Sequence, residues 1–285
     1  MDIDPLADTV PPRYAVESDE EDEYNPLEPK TAESEPVTTP EIKLAGSIPK
    51  DRPLIFASGD AGKYWAKGIK LGEQAGSIYV NKIQVGLVFA PSWSKSTVIV
   101  SETFTRLPLN YIHDYAEFIL NELKPNSVSL LDVYSSPTYI SPEPIAQQDA
   151  PIRYLSTAPA DSTSKSTAQP FSPPNMIHSN TSAALMSLIA SDPSQSLKGT
   201  LFLLPFPKIP TPPPKTLKSS DFSHLSEDEY QWSESFMNTA QNILFAAVGE
   251  SISDGEAAAW HTPKNSHPPT SSAKASTFGE GGMYI

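Results

Sequence analysis

PLNYIHDYAEFILNELKPNSVSLLDVY, residues 108–134, carries the two hydrophobic patterns from which the rest of the chain is read. Pro108 suits a first-turn helix position, where its missing N–H leaves no hydrogen bond unmade. Tyr111, Ile112, Tyr115, Phe118, Ile119 and Leu123 recur at the spacing of one helical face, and Pro125 stops the pattern. Val128 to Tyr134 then reads as a strand, with Val128, Leu130, Leu131 and Val133 as its apolar cluster. A helix leading directly into an apolar strand begins an α/β layer arrangement.

Further strands are expected upstream at Leu54-Ile55-Phe56-Ala57, Ser77 to Asn81, Ile83 to Pro91 and Thr97 to Ser101. Downstream, Ile152 to Leu155 and Thr200 to Phe206 read as strands, and Ser182 to Ser191 as a helix ended by Pro193. The longest helix is expected from Ser226. Ser226 with Glu229 makes a capping-box sequence, and Trp232, Phe236, Ala240, Leu244 and Val248 step along one stripe to Gly249. The expected fold is therefore α/β, a single domain over residues 51–250 with a central sheet flanked by helices. Its Pro/Ser/Thr-rich stretches, 135–180 and 207–220, are long loops.

Two tails complete the organisation. Residues 1–50 hold 13 acids against four bases, so −9 of the formal net charge of −14 lies there. With few aromatics and the block Asp19 to Glu23, this segment is expected to be disordered, because it cannot bury enough apolar surface to offset its ordering entropy. Ser18, just before that block, is a solvated tail residue or an acid-directed phosphorylation site, the former favoured. Residues 251–285 are expected to form a flexible tail with a typical reach of roughly 30 Å by coil scaling.

Composition narrows function. The 285 residues include 30 prolines and no cysteine, so thiolate catalysis, disulfides and cysteine-ligated zinc are excluded. The acidic balance argues against a nucleic-acid partner. There is no basic, apolar leader and no apolar run long enough for a bilayer, so the chain reads as cytoplasmic, with the nucleus also open, and without a membrane partner.

Catalytic motifs fail on spacing. Gly59-Asp60-Ala61-Gly62-Lys63 has two residues between its glycines where a phosphate loop has four, and Tyr64 follows the lysine; a tight turn is expected there. Gly249-Glu250-Ser251-Ile252-Ser253 lacks the final glycine of a nucleophile elbow and follows a helix. His113, His178, His224, His261 and His267 show no i, i+4 pairing, and His113 and Asp114 are helix neighbours that do not face each other. No metal or cofactor is expected.

The feature with a mechanism is the ending Gly282-Met283-Tyr284-Ile285. Met283 can fill an apolar groove, Tyr284 adds a stiff ring with one polar handle, and the Ile285 carboxylate can be captured by a lysine or a nest of N–H groups. Gly279, Gly281 and Gly282 let the ending enter a narrow slot. On these residues, with the tail before them, the chain resembles the proteasome assembly chaperones, specifically the first subunit of the heterodimeric pair in its fungal form. The resemblance implies a non-enzymatic protein that pairs with a second chaperone and docks Met283, Tyr284 and Ile285 into a pocket between proteasome α-subunits. Such a pair keeps α-rings from off-pathway contacts and from premature activators. Two alternatives remain: an adaptor or activator of the mature proteasome using the same ending, and an α/β enzyme of phosphorylase or hydrolase type built around Asp60, Lys63, His113 and Asp132.

Overall fold

The computed structural model describes residues 39–143, 145–159, 167–177, 180–192, 196–219, 230–252 and 258–263. The chain divides into Met1–Thr39 and Pro40–Ile285, and the elements below belong to the second unit. In chain order they are β1 (Ile42–Gly46), β2 (Leu54–Ser58), α1 (Gly59–Gly68), β3 (Gln74–Val80), β4 (Ile83–Phe89), β5 (Thr97–Ser101), α2 (Leu109–Leu123), β6 (Ser127–Ser135), β7 (Arg153–Ser156), β8 (Gln169–Pro170), α3 (Thr181–Ser191), β9 (Lys198–Phe206) and α4 (Glu234–Ala246).

One mixed sheet runs β1-β3-β4-β5-β2-β6-β9-β7-β8. Its centre is parallel: β2 pairs β5 with Phe56 opposite Ile99, β2 pairs β6 with Phe56 opposite Leu130, and β6 pairs β9 with Leu130 opposite Leu201. Strands covered on both faces must be apolar on both, which is why Leu-Ile-Phe-Ala and Val-Ile-Val read as continuous runs. Alternation still sorts them. Ile55, Ala57, Val98, Val100, Leu131, Phe202 and Leu204 face one core with Trp65 of α1 and Leu244 of α4. Leu54, Phe56, Ile99, Leu130, Leu201 and Leu203 face the other with Tyr115 and Ile119 of α2 and Leu185 and Ile189 of α3. Each fully buried Leu, Ile or Phe contributes about 1.5–3 kcal/mol by transfer from water.

Residues 108–134 behave as their pattern requires. Ile112, Tyr115, Ala116, Ile119 and Leu123 are the buried residues of α2, which ends at Lys124 in the left-handed region (φ 48°), its N–H bonded to Leu120 O. Four expectations are corrected. Gly59 to Gly62 is not a tight turn but the first turn of α1. Gly59, at φ +56°, swings the chain sharply out of β2, and Gly62 presses the helix onto the strand; a Cβ there would lie 2.6 Å from the carbonyl carbon and oxygen of Ala57. Second, α4 begins at Glu234, with Ser233 as N-cap accepting from Phe236 N–H. Tyr230 and Gln231 are not helical, Ser226 and Glu229 lie outside the described residues, and at 13 residues α4 is shorter than α2 at 15. Third, β1 lies inside residues 1–50, where disorder is expected from composition; Ile42 and Leu44 alternate inward and pack on the α2/α3 core. Fourth, the body reaches beyond residue 250. Trp260 is fully buried against Tyr64, 5.2 Å between ring centroids, and its indole N–H donates to Trp65 O at 2.9 Å.

The parallel centre gives the sheet two distinct ends. Strands β5, β2, β6 and β9 all finish at one of them, the carboxyl end. Helix α1 runs back from there, so Gly68, whose O accepts from His261 N–H at 2.8 Å, and the neighbouring residues 260–263 lie at the amino end. Glu250 is fixed at the amino end as well, accepting from the hydroxyls of Ser94 and Ser96 at 2.7 Å each.

Candidate functional site

At the carboxyl end, beside β2 and where the direction of winding changes, lies a cluster of buried polar groups. This is the region where open α/β sheets place their ligands. Ser58 ends β2, Glu102 follows β5, Asp132 is in β6, and Asn180, Thr181 and Ser182 open α3. Asn180 caps α3, its side-chain oxygen accepting from Ala183 N–H at 2.9 Å, and its amide donates to Asp132 Oδ2 at 2.9 Å. The Ser58 hydroxyl donates to the same oxygen at 2.9 Å, and Val133 N–H donates to Oδ1 at 2.8 Å. The Ser58 and Ser182 hydroxyls stand 3.0 Å apart. Burial pushes the Asp132 carboxyl above the ordinary carboxylate range; donors from Ser182, Val133 and Ser58 oppose this, and the charge of Asp60 adds to it.

Glu102 forms the second half of the cluster. Held at φ +55°, it accepts from the Thr181 hydroxyl at 3.0 Å and from Leu107 N–H at 3.3 Å. The residue keeps partial exposure, but desolvation of its carboxyl dominates and raises it to about 7, ahead of the lowering by Thr181 and Leu107; repulsion from Asp132 adds to the rise and Arg106 opposes it. Two carboxyl groups that burial shifts above the ordinary range thus tie β2, β5, β6 and α3 together. Each nearby donor is already spent on a carboxylate oxygen, so the geometry suits a strut more than a proton shuttle.

Beside the cluster a groove of about 200 Å³ opens, lined by Tyr134, Tyr139, Phe171, Ile140, Met176 and Ser135 among others. Its aromatic walls meet edge to face, Tyr139 and Phe171 at 5.5 Å and Tyr134 and Tyr139 at 5.3 Å. Buried Arg153 stacks on Tyr139 with its guanidinium carbon 3.7 Å from the ring centroid and donates to Pro170 O at 3.2 Å. The Ser135 hydroxyl is buried without a hydrogen-bond partner.

The residues of the enzyme alternative do not come together in this groove. Asp132 is in β6 and is not one of the groove's lining residues, Asp60 and Lys63 ride on the first turns of α1, and His113 is on the exposed face of α2. Among the described residues no three His, Asp or Glu side chains form a cation-binding group, and no helix is long and apolar enough to cross a membrane. The terminal residues Met283, Tyr284 and Ile285, with Gly279, Gly281 and Gly282, lie outside the described residues, as do Ser18, His178, His224 and His267. Sequence reading names Asp132, but with other partners, and misses Glu102, Ser58 and the residues that open α3. The cluster's one legible signal is Asn180-Thr181-Ser182 ahead of an apolar helix, an N-cap pattern that also matches a glycosylation sequon.

No protein-family profile matches the chain, and no curated protein does. Among solved structures, the chain is similar to Pyrococcus furiosus PbaA, an archaeal homolog of proteasome-assembly chaperone, with 10% identity over 59% of this chain and 77% of that one at a TM-score of 0.41. It is similar to P. furiosus PbaB, an archaeal proteasome activator, with 11% identity over 59% and 81% at a TM-score of 0.41. A PAC2 family protein from Streptomyces avermitilis shares 9% identity over 54% and 76% at a TM-score of 0.30.

Proposed function

We propose that this chain is a proteasome assembly chaperone without enzymatic activity, the first subunit of a heterodimeric pair of the fungal kind, working in the cytoplasm and the nucleus. The observation that carries the reading is the ending Met283-Tyr284-Ile285. Its last residue, Ile285, stands 22 residues beyond Pro263, the last described residue. Trp260 anchors the chain to the body just before that point. In this reading Met283 fills an apolar groove between neighbouring α-subunits, Tyr284 packs and hydrogen-bonds at the rim, and the Ile285 carboxylate pairs with a pocket lysine. Occupying that pocket shields the α-ring from activators that need it and from a second ring.

The test is affinity capture from a cell extract with the full chain and with a chain lacking residues 283–285. Retention of α-subunits and of a second chaperone by the full chain, with only the α-subunits lost on truncation, is the expected result. Equal capture of α-subunits by both chains would remove the tail from the mechanism. Stimulated peptide hydrolysis by finished core particles would instead mark an activator.

A further inference from the structure

Every large apolar side chain that the described residues expose belongs to one end of the sheet. Phe104 and Leu109 follow β5, Ile140 and Ile145 follow β6, Ile209 follows β9, and Met176 precedes α3. All of these segments sit at the carboxyl end. The amino end exposes none among its described loops. Scattered single residues need no explanation, but a set gathered on one end, two of them (Ile140 and Met176) lining an aromatic groove, marks an interaction surface.

Charge gives the partner its chemistry. The four segments that carry these side chains, residues 102–109, 136–152, 171–180 and 207–219, hold Arg106, Lys208, Lys215 and Lys218 against Glu102, Glu143 and Asp149, a local balance of +1 in a chain of −14. The proline-rich strap 207–219 contains three lysines and no acid. It is fastened across to the β5–α2 loop: Arg106 donates to Thr211 O at 2.7 Å and to Pro212 O at 3.3 Å, and Leu217 packs on the α2/α3 core. Three exposed lysines are thereby held on the end that carries the apolar residues. The chain's own C-terminal segment departs from the opposite end, at Pro263.

We propose that the carboxyl end is a protein-docking surface for a partner segment that presents bulky apolar side chains among carboxylates, seating one of them in the groove between Ile140 and Met176. The groove's volume suits a single large side chain, and the lysines supply attraction that falls with salt.

The experiment uses the full chain and a fluorescein-labelled peptide that alternates Glu with Leu and Phe, read by anisotropy, beside a matched peptide with Lys in place of Glu. The expected result is saturable binding of the Glu peptide, weakened by salt and at least about tenfold tighter than that of the Lys peptide. Ile140→Asp with Met176→Asp should abolish it. These side chains are 62% and 83% exposed, so the fold should be retained. Lys208→Glu, Lys215→Glu and Lys218→Glu together should weaken it by about tenfold or more, and Lys198→Glu at the amino end should not. Equal binding of the two peptides, no binding, or binding indifferent to these variants would overturn the proposal. So would a dimer in sedimentation velocity that Ile140→Asp and Met176→Asp dissolve, which makes a second copy the occupant. Tighter peptide binding after removal of residues 264–285 would likewise overturn it, by placing the chain's own end in the groove.

Discussion

Glu102 makes a single residue measurable. Its carboxyl is raised to about 7 from an ordinary 4.5, so the folded chain holds a proton that the unfolded chain releases. The stability this contributes is fully present below about pH 4.5 and is lost as pH rises through 7. Glu102→Gln keeps an acceptor for Thr181 and never ionises. The variant should match the parent in urea unfolding at pH 4 and exceed it by about 1–3 kcal/mol at pH 8, since each tenfold change in proton affinity is worth about 1.4 kcal/mol and partial exposure reduces the effect. A constant gap at both pH values would show that the carboxyl titrates normally. Asp132, raised by the same cause, works in the same direction. Neither group is readable from the sequence, because what raises a carboxyl is the water removed by chain segments distant in sequence. Ser58 lies 74 residues from Asp132, and Thr181 lies 79 from Glu102.

Helix α1 shows where element-level reading stops short. Gly59-Asp60-Ala61-Gly62 looks like a turn because glycine lowers helix propensity, yet the two glycines are needed for different reasons. Gly59 has a positive φ and open space where a side chain would go, whereas Gly62 has its Cβ position filled by Ala57 backbone. Gly59→Ala should therefore cost about 1–2 kcal/mol of backbone strain, with Gly59→Asn recovering part of it, since asparagine tolerates that region. Gly62→Ala should cost about 1–3 kcal/mol by overpacking, and Gly62→Asn still more. Identical losses for Asn at both sites in thermal unfolding would refute the distinction. The start of α4 is misread for a related reason. Ser233 caps the helix, and next to that cap Trp232 is buried with its indole N–H donating to Pro205 O at 2.9 Å, a contact with a strand 27 residues away that local spacing does not record.

The body built on the nine-stranded sheet has two distinct ends, and its boundaries can be checked by truncation. Trp260 ties the last described segment to α1 and α4, with Asn238 donating to Trp260 O and accepting from Trp260 N–H, both at 3.0 Å. Ending the chain after Pro263 should leave the thermal midpoint unchanged. Ending it after Ile252, or replacing Trp260 by Ala, removes a fully buried indole worth about 3–5 kcal/mol and should lower the midpoint by roughly 6–20 °C for a body of this size. Equal midpoints for all of these chains would mean that the Trp260 segment contributes nothing to the fold.

Periodicity and composition alone determined the α/β class, most of the strands, α2 and α3, the acidic N-terminal stretch and the chemistry of the final three residues. Each of these depends on side-chain spacing or on residues adjacent in the chain. Tertiary structure decided the rest: β1 inside the acidic region, the helix at Gly59, the seat of Trp260, the paired carboxyls beneath α3 and the gathering of exposed apolar residues at one end. Apart from the helix at Gly59, those features arise from contacts between segments tens to nearly two hundred residues apart, such as Trp65 with Trp260. A local pattern carries no record of which surfaces the winding of a parallel sheet brings together.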